Sequence, residues 1–191
     1  MKIKKIALDM DGVLANMMPY LLYLLNRYHG EKLTLEDVTE WDIHKACKNC
    51  TPEECYQYFD EPGFFRHLPL MPGAQNAVKA LQRQGFEIVI ISTTKHGQSD
   101  KLHWLSKNLP TIDLDNVFMG KNKYHIAADV FVDDSIDNLE KYKAAHPGAL
   151  VICFDAPYNR KYTGLRAKTW DEVLSWIDTC GQVRDMRGKS E

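Results

Sequence analysis

The sequence predicts an α/β protein: a parallel sheet flanked by helices, with a small helical segment inserted after the first strand. Three observations predict it. Short apolar, β-branched runs alternate with helical patterns, as in parallel strands joined by right-handed crossovers. Three of those runs end in polar clusters, Asp9/Asp11, Ser92/Thr93 and Asp133/Asp134, and open α/β sheets bind ligands at strand carboxyl ends. Finally, residues 15–70 carry helical periodicity and dense aromatics but no strand pattern.

Each element follows from local chemistry. Ile6-Ala-Leu8 is a buried strand that stops at two carboxylates and Gly12. Apolar side chains at 17, 18, 21, 22, 24, 25 and 28 form a helical stripe that Gly30 ends. Leu35-Glu-Asp-Val is a short helix, and so is Thr51 to Phe59, with Thr51 as N-cap, Pro52 in the first turn and Glu54 completing a capping box. Pro72-Gly73 opens a helix to Gln84, and Gly85 stops it. Glu87–Ser92 is a buried strand, and Ser99 caps a helix through Leu105. Val117–Met119 is a short strand, and residues 120–123 form a loop. Asp129–Asp134 is a strand, residues 135–145 a helix, and Ala149–Phe154 another strand. Trp170–Thr179 is an amphipathic helix, and the polar tail after Gly181 is expected to fray. The division that follows is a core of residues 1–14 and 72–191 with a helical cap of 15–71.

Composition narrows the function. The 191 residues are 45% apolar and 26% charged, as in a soluble globular protein. A net charge of −2 points to neither a nucleic-acid polymer nor an acidic membrane surface as partner. No apolar run is long enough to span a membrane, and Asp9 and Asp11 interrupt the stretch that a signal peptide would need. A cytoplasmic enzyme or binding protein is the expectation. Five cysteines, an odd number, argue against a secreted disulfide framework. The run His44-x2-Cys47-x2-Cys50-x4-Cys55 has ligand-like spacing. It lacks a second pair downstream, so reduced structural thiols are favoured over zinc or redox use.

Carboxylates at two strand ends would repel one another unless a cation sits between them, and magnesium takes carboxylates together with phosphate oxygens. Hydroxyls at Ser92 and Thr93, with Lys101 or Lys123, could hold a phosphoryl group. A carboxylate nucleophile would split hydrolysis into two easier steps, and Asp11 could pass a proton to the leaving alkoxide.

Asp9-Met-Asp-Gly-Val-Leu14, Ile90-Ile-Ser-Thr93, a lysine before the fourth strand, and Val132-Asp-Asp134 resemble, in order, the four motifs of the haloacid dehalogenase (HAD) phosphohydrolases. Within that superfamily the chain is most similar to the 5′(3′)-deoxyribonucleotidases, through Ala15 after the first motif, a cap of about 55 residues, Phe64-Phe65 and Leu70-Met-Pro-Gly-Ala74. The resemblance implies a Rossmann-like core and a magnesium-dependent phosphomonoesterase acting on nucleoside monophosphates, with deoxyribonucleotides such as dUMP or dTMP expected, through an aspartyl-phosphate.

It also implies roles. Asp9 would be nucleophile and magnesium ligand. Asp11 would be general acid/base, with its carbonyl on the metal. Asp134 would be a direct ligand and Asp133 would support a metal-bound water. Ser92 and Thr93 would bind phosphoryl oxygens. Lys101 matches the deoxyribonucleotidases, and Lys123 occupies the position used by many other HAD members. Met17, Trp41, Phe59 and Phe65 would surround the base. Asp11 argues for phosphate esters over carbon–halogen bonds, since a halide leaves without a proton. A homodimer through the core is plausible by resemblance only. Two other readings stay open: a phosphatase for another small phosphomonoester such as a sugar phosphate, and a non-catalytic phosphate-binding module.

Overall fold

The structure is a computed structural model that describes residues 3–95 and 97–187. Six parallel strands lie in the order β3-β2-β1-β4-β5-β6: β1 (Lys5–Leu8), β2 (Glu87–Ser92), β3 (Val117–Met119), β4 (Val130–Asp133), β5 (Leu150–Phe154) and β6 (Leu165–Ala167). β1 sits in the middle, with Leu8 opposite Ile90 of β2 and Val132 of β4. That register brings the acidic ends of β1 and β4 side by side, next to the hydroxyl end of β2.

Alternation along each strand sends side chains to two cores. Ile6, Leu8, Ile90 and Val132 pack under α3 (Ala74–Arg83), α4 (Gln98–Asn108) and α6 (Trp170–Arg187). Ala7, Val89, Ile91 and Phe131 pack under α5 (Ile136–Ala145), where the Phe131 and Tyr142 rings stack 4.0 Å apart. Full burial of each of the larger of these side chains stabilises by about 1.5–3 kcal/mol, which is why the central strands carry almost no polar residue before their last positions.

Between β1 and β2 the chain forms α1 (Met17–His29), α2 (Pro52–Tyr56), α3 and several 3-10 turns. The outgoing and returning chains meet at a narrow neck. Ala15 and Leu70 form an isolated antiparallel bridge; Asn16 N donates to Pro69 O at 2.8 Å and Met71 N to Leu14 O at 2.8 Å. Two buried tryptophans lock this neck to the core. Trp104 Nε1 donates to Leu68 O (2.6 Å), and Trp170 Nε1 to Val13 O (3.1 Å).

Most expected elements are present within a residue or two, and four details differ. The helix after β2 starts at Gln98, with Gly97 as its cap at φ 76° and no side-chain capping bond, so Ser99 lies inside the first turn. A Cβ on Gly97 would meet the Phe65 ring at 2.6 Å, so packing rather than a capping hydroxyl sets that start. The second half of the Thr51–Phe59 helix tightens into a 3-10 turn, Gln57–Asp60. Strand β6 was not expected, because three residues are too few to show a period. Finally, α6 runs through Gly181 to Arg187 instead of ending at Thr179; a helical glycine costs only about 1 kcal/mol relative to alanine. The last four residues of the expected frayed tail, 188–191, lie outside the described residues. Among the described residues no helix is long and apolar enough to cross a membrane.

Candidate active site

Beyond Leu8 the β1 ladder continues one step, as Asp9 N donates to Val132 O at 2.9 Å. The chain then coils tightly: Leu14 N and Ala15 N both bond Met10 O (2.9 and 2.7 Å), and Gly12 turns at φ 82°. Met10 is buried in the core, and the carboxylates on either side of it line the cleft.

Each carboxylate has its own lysine. Lys123, buried in the turn after β3, stands 2.7 Å from Asp9 Oδ1 and 2.7 Å from Asp133 Oδ2. Lys101, wholly buried on α4, donates to Asp11 Oδ2, to Ser92 Oγ (2.9 Å) and to Thr93 O (3.0 Å). Its ammonium also lies 4.4 Å from the centre of the Phe65 ring. Ser92 and Lys101 therefore form a buried layer behind the cleft, while Thr93 and Lys123 line it.

The two aspartates after β4 differ in saturation. Asp133 accepts from Lys123, from Ser135 N (2.8 Å) and from Asn138 Nδ2 (3.2 Å). Asp134 Oδ2 accepts from Tyr158 Oη, and its backbone carbonyl accepts from Asn159 Nδ2 at 2.8 Å. Asp134 Oδ1 and Asp11 Oδ1 are buried with no hydrogen-bond partner among the described residues.

Electrostatics show the strain of this arrangement. Burial pushes the Asp9 carboxyl up to about 7; Lys123 pulls it down, and Asp133 and Asp11 push it up again. Asp134 is raised well above the usual carboxylate range by burial, then by Asp9 and Asp133, with Tyr158 opposing. Burial draws Lys123 down, but Asp133 and Asp9 outweigh it and hold the ammonium above its ordinary value. When all four are ionised, the carboxylates of Asp9, Asp11, Asp133 and Asp134 meet two ammonium groups, an excess of two negative charges that the raised Asp9 and Asp134 resist without a cation.

The residues fit a hard divalent cation. Oxygens of Asp9, Asp133 and Asp134 lie within 4.8 Å of one another, the excess charge of the ionised cluster matches, and Asp134 Oδ1 has no hydrogen-bond partner among the described residues. Asp133 already accepts from three groups, so its natural place is behind the ligands rather than among them.

The cleft has a volume of about 1160 Å³ and brings Met17, Trp41, Phe59 and Phe65 to the same space as Asp9, Asp11 and Lys123. Phe59 and Phe65 stack with centroids 6.2 Å apart. Trp41 is 63% exposed and sets its edge on Tyr158 at 5.5 Å. Tyr158, Asn159 and Asn138 were missed by sequence reasoning. The first two follow β5, so the rule that sites gather at strand ends was the signal that could have found them.

Comparison with known proteins identifies the family. Residues 2–183 match the family described as 5′ nucleotidase, deoxy (pyrimidine), cytosolic type C protein. The chain is 35% identical over 174 residues to a 5′(3′)-deoxyribonucleotidase of Bacillus subtilis, covering 89% of this chain and 96% of that protein. It is 30% identical over 182 residues to a 5′(3′)-deoxyribonucleotidase of Clostridium acetobutylicum, covering 94% and 96%. Among solved structures, a HAD hydrolase of family IA, variant 3, from Entamoeba histolytica gives a TM-score of 0.59 at 16% identity, covering 92% of this chain and 98% of that one. A HAD hydrolase from Bacillus subtilis, solved bound to magnesium, gives 0.60 at 13% identity, covering 93% and 99%. At those identities the structural likeness speaks for the fold.

Proposed function

This chain belongs to the 5′ nucleotidase, deoxy (pyrimidine), cytosolic type C family, and on that premise we propose that it acts as a HAD phosphohydrolase, hydrolysing deoxyribonucleoside monophosphates such as dUMP and dTMP through an aspartyl-phosphate. At the coarser level it is a nucleotide phosphomonoesterase. The observation that carries the finer reading is the pairing of Asp9 with Lys123 and of Asp11 with Lys101 at the floor of a cleft walled by aromatic rings.

Asp9, Asp134 and the Asp11 carbonyl would hold a magnesium ion, which when bound neutralises charge on the phosphoryl group. The Asp9 carboxylate attacks phosphorus, a new O–P bond forms and the bond to the nucleoside oxygen breaks. Asp11 gives its proton to that oxygen, so the nucleoside leaves as an alcohol. A water then attacks the same phosphorus, Asp11 takes its proton, and inorganic phosphate leaves with Asp9 restored. Asp11 Oδ2 is occupied by Lys101, so Oδ1 is the atom that carries the proton. Lys123, Thr93 and, from behind, Lys101 and Ser92 offset the charge on the phosphoryl oxygens. Asp133 holds Lys123 in place and would orient a water on the bound ion.

In this reading residues 15–71 are a cap on a core of 1–14 and 72–191, and Met17, Trp41, Phe59 and Phe65 stack around the base. Cap and core touch through Trp41 on Tyr158 and through Arg160–Glu36 at 2.8 Å. The neck at Ala15 and Leu70 is the natural hinge for closure, which excludes water from the reacting phosphate.

The test is phosphate release, with magnesium, from dUMP, dTMP, dGMP, UMP, 3′-dUMP, phosphoglycolate and sugar phosphates, with Asp9→Asn as control. Preference for deoxynucleotides that Asp9→Asn abolishes is the expected result. Turnover confined to sugar phosphates would keep the chemistry and overturn the base pocket.

A further inference from the structure

Three of the five cysteines converge in the segment between α1 and the neck, and the described lining of the cleft includes none of them. Cys47 ends the 3-10 turn Ile43–Ala46, Cys50 lies just before α2, and Cys55 is buried within α2. Their sulfurs all lie within 4.8 Å of one another. We infer that Cys47, Cys50 and Cys55 form a second metal centre, a three-thiolate site for Zn²⁺ with one exchangeable fourth position.

Geometry brings the thiols near ligation without an ion. Around tetrahedral zinc, with Zn–S of about 2.3 Å, sulfurs stand about 3.8 Å apart. Closing from 4.8 Å asks for a movement of about 1 Å at most for any pair. The loop between the first two ligands is also held in advance. The buried Glu31 carboxylate accepts from Lys48 N at 2.7 Å and Asn49 N at 2.6 Å, and Asn49 Nδ2 bonds Gly30 O at 3.2 Å. A buried carboxylate committed to two amides of a two-residue loop is the kind of outer support that metal sites use.

Neither core filling nor a disulfide accounts for the cluster as well. Core filling would bury all three, yet only Cys55 is buried, while Cys47 and Cys50 pack at the edge of the core and are half-buried. Disulfide formation would leave one thiol over. Soft thiolates select zinc or monovalent copper over magnesium. Three thiolates on Zn²⁺ leave one net negative charge where copper(I) would leave two, and partial burial favours the smaller charge. His44 turns its Nδ1 toward Asp42 at 3.8 Å, and the fourth position is left to water or another small ligand.

Such a centre would supply what this segment lacks. Its helices between residues 35 and 60 are only three to five residues long, and elements so short need a staple. The stapled piece carries part of the cleft wall: Tyr56, next to Cys55, bonds Asp42, next to Trp41.

The experiment is a titration of the reduced, chelator-stripped full-length protein with Co²⁺ alone, read by absorption. One equivalent producing thiolate-to-cobalt charge-transfer and tetrahedral d–d bands, displaced by one equivalent of Zn²⁺, is expected; carboxylate-bound cobalt gives no such charge transfer. Cys50→Ser should lose the bands and the rise in Tm with zinc, while Cys180→Ser keeps both. Cys50→His, which retains a ligand, should still bind cobalt with weaker charge transfer, so loss in Cys50→Ser is not misfolding. Glu31→Gln should keep the bands and weaken zinc affinity at least 10-fold. No charge transfer in protein whose thiols titrate as reduced, or bands that persist in Cys50→Ser, would overturn the site.

Discussion

A Cβ placed on Gly12 would stand 2.1 Å from Asp134 Oδ2, so the acidic loop after β1 closes against the acidic end of β4 only because residue 12 has no side chain. Its φ of 82° adds a second reason. Gly12→Ala should push Asp134 from its place by the order of 1 Å, which costs about 100-fold in kcat. Steady-state kinetics on dUMP, with circular dichroism to verify folding, will check this.

Lys123→Met would leave Asp9 and Asp133 facing each other without their shared cation. Breaking a buried pair from one side costs about 3–5 kcal/mol. Urea unfolding in EDTA should show that loss, and added magnesium should return part of it. A variant as stable as the parent in EDTA would mean the two carboxylates are already neutral.

Asp9 titrates near 3.8 in the unfolded chain and about 7 in the fold. The folded state therefore binds that proton more tightly, and stability contributed by Asp9 is lost as pH rises from 3.8 toward 7. Asp9→Asn lacks this penalty and leaves Lys123 paired with Asp133. In EDTA the Tm of Asp9→Asn should exceed the parent's at pH 8, with the gap narrowing at pH 5 and closing only as pH falls toward 3.8. A gap independent of pH would contradict a raised Asp9.

Trp41→Ala removes one face of the proposed base pocket. Stacking of about 1–3 kcal/mol translates into a roughly 5- to 150-fold rise in KM for dUMP. Turnover of a phosphomonoester without a base should be unchanged, which separates a base contact from damage to the site.

Tyr158→Phe takes the hydroxyl from Asp134 Oδ2 while keeping the ring that Trp41 touches. Loss of such an outer hydrogen bond weakens metal affinity about 10-fold or more. The magnesium concentration for half-maximal activity should rise by that factor with little change in KM for nucleotide.

The alternation of strands and helices was enough to bring Asp9, Asp11, Ser92, Thr93, Asp133 and Asp134 to one end of the sheet, because a parallel sheet brings every strand's carboxyl end to the same edge. Which of them line the crevice (Asp9, Asp11, Thr93 and Asp134) and which lie behind it (Ser92 and Asp133) was not legible there. The helix limits at Gly30 and Thr51 were legible for a similarly local reason: each depends on one turn's own dihedrals and hydrogen bonds. Tertiary structure decided the rest. Which lysine serves which aspartate depends on where α4 and the turn at Lys123 pack, and Lys101 meets Asp11 across 90 residues of chain. The start of α4 moved off Ser99 because Phe65, from a distant turn, lies against Gly97. Tyr158 and Asn159 follow β5 without any periodic signal, and only the sheet order carries them to Asp134. Spacing suggested ligands at Cys47, Cys50 and Cys55, but their approach to within 4.8 Å depends on α2 folding back beside a loop that Glu31 holds. Periodicity and capping are properties of neighbours in sequence, whereas a charge finds its partner through rigid elements whose placement the whole core sets.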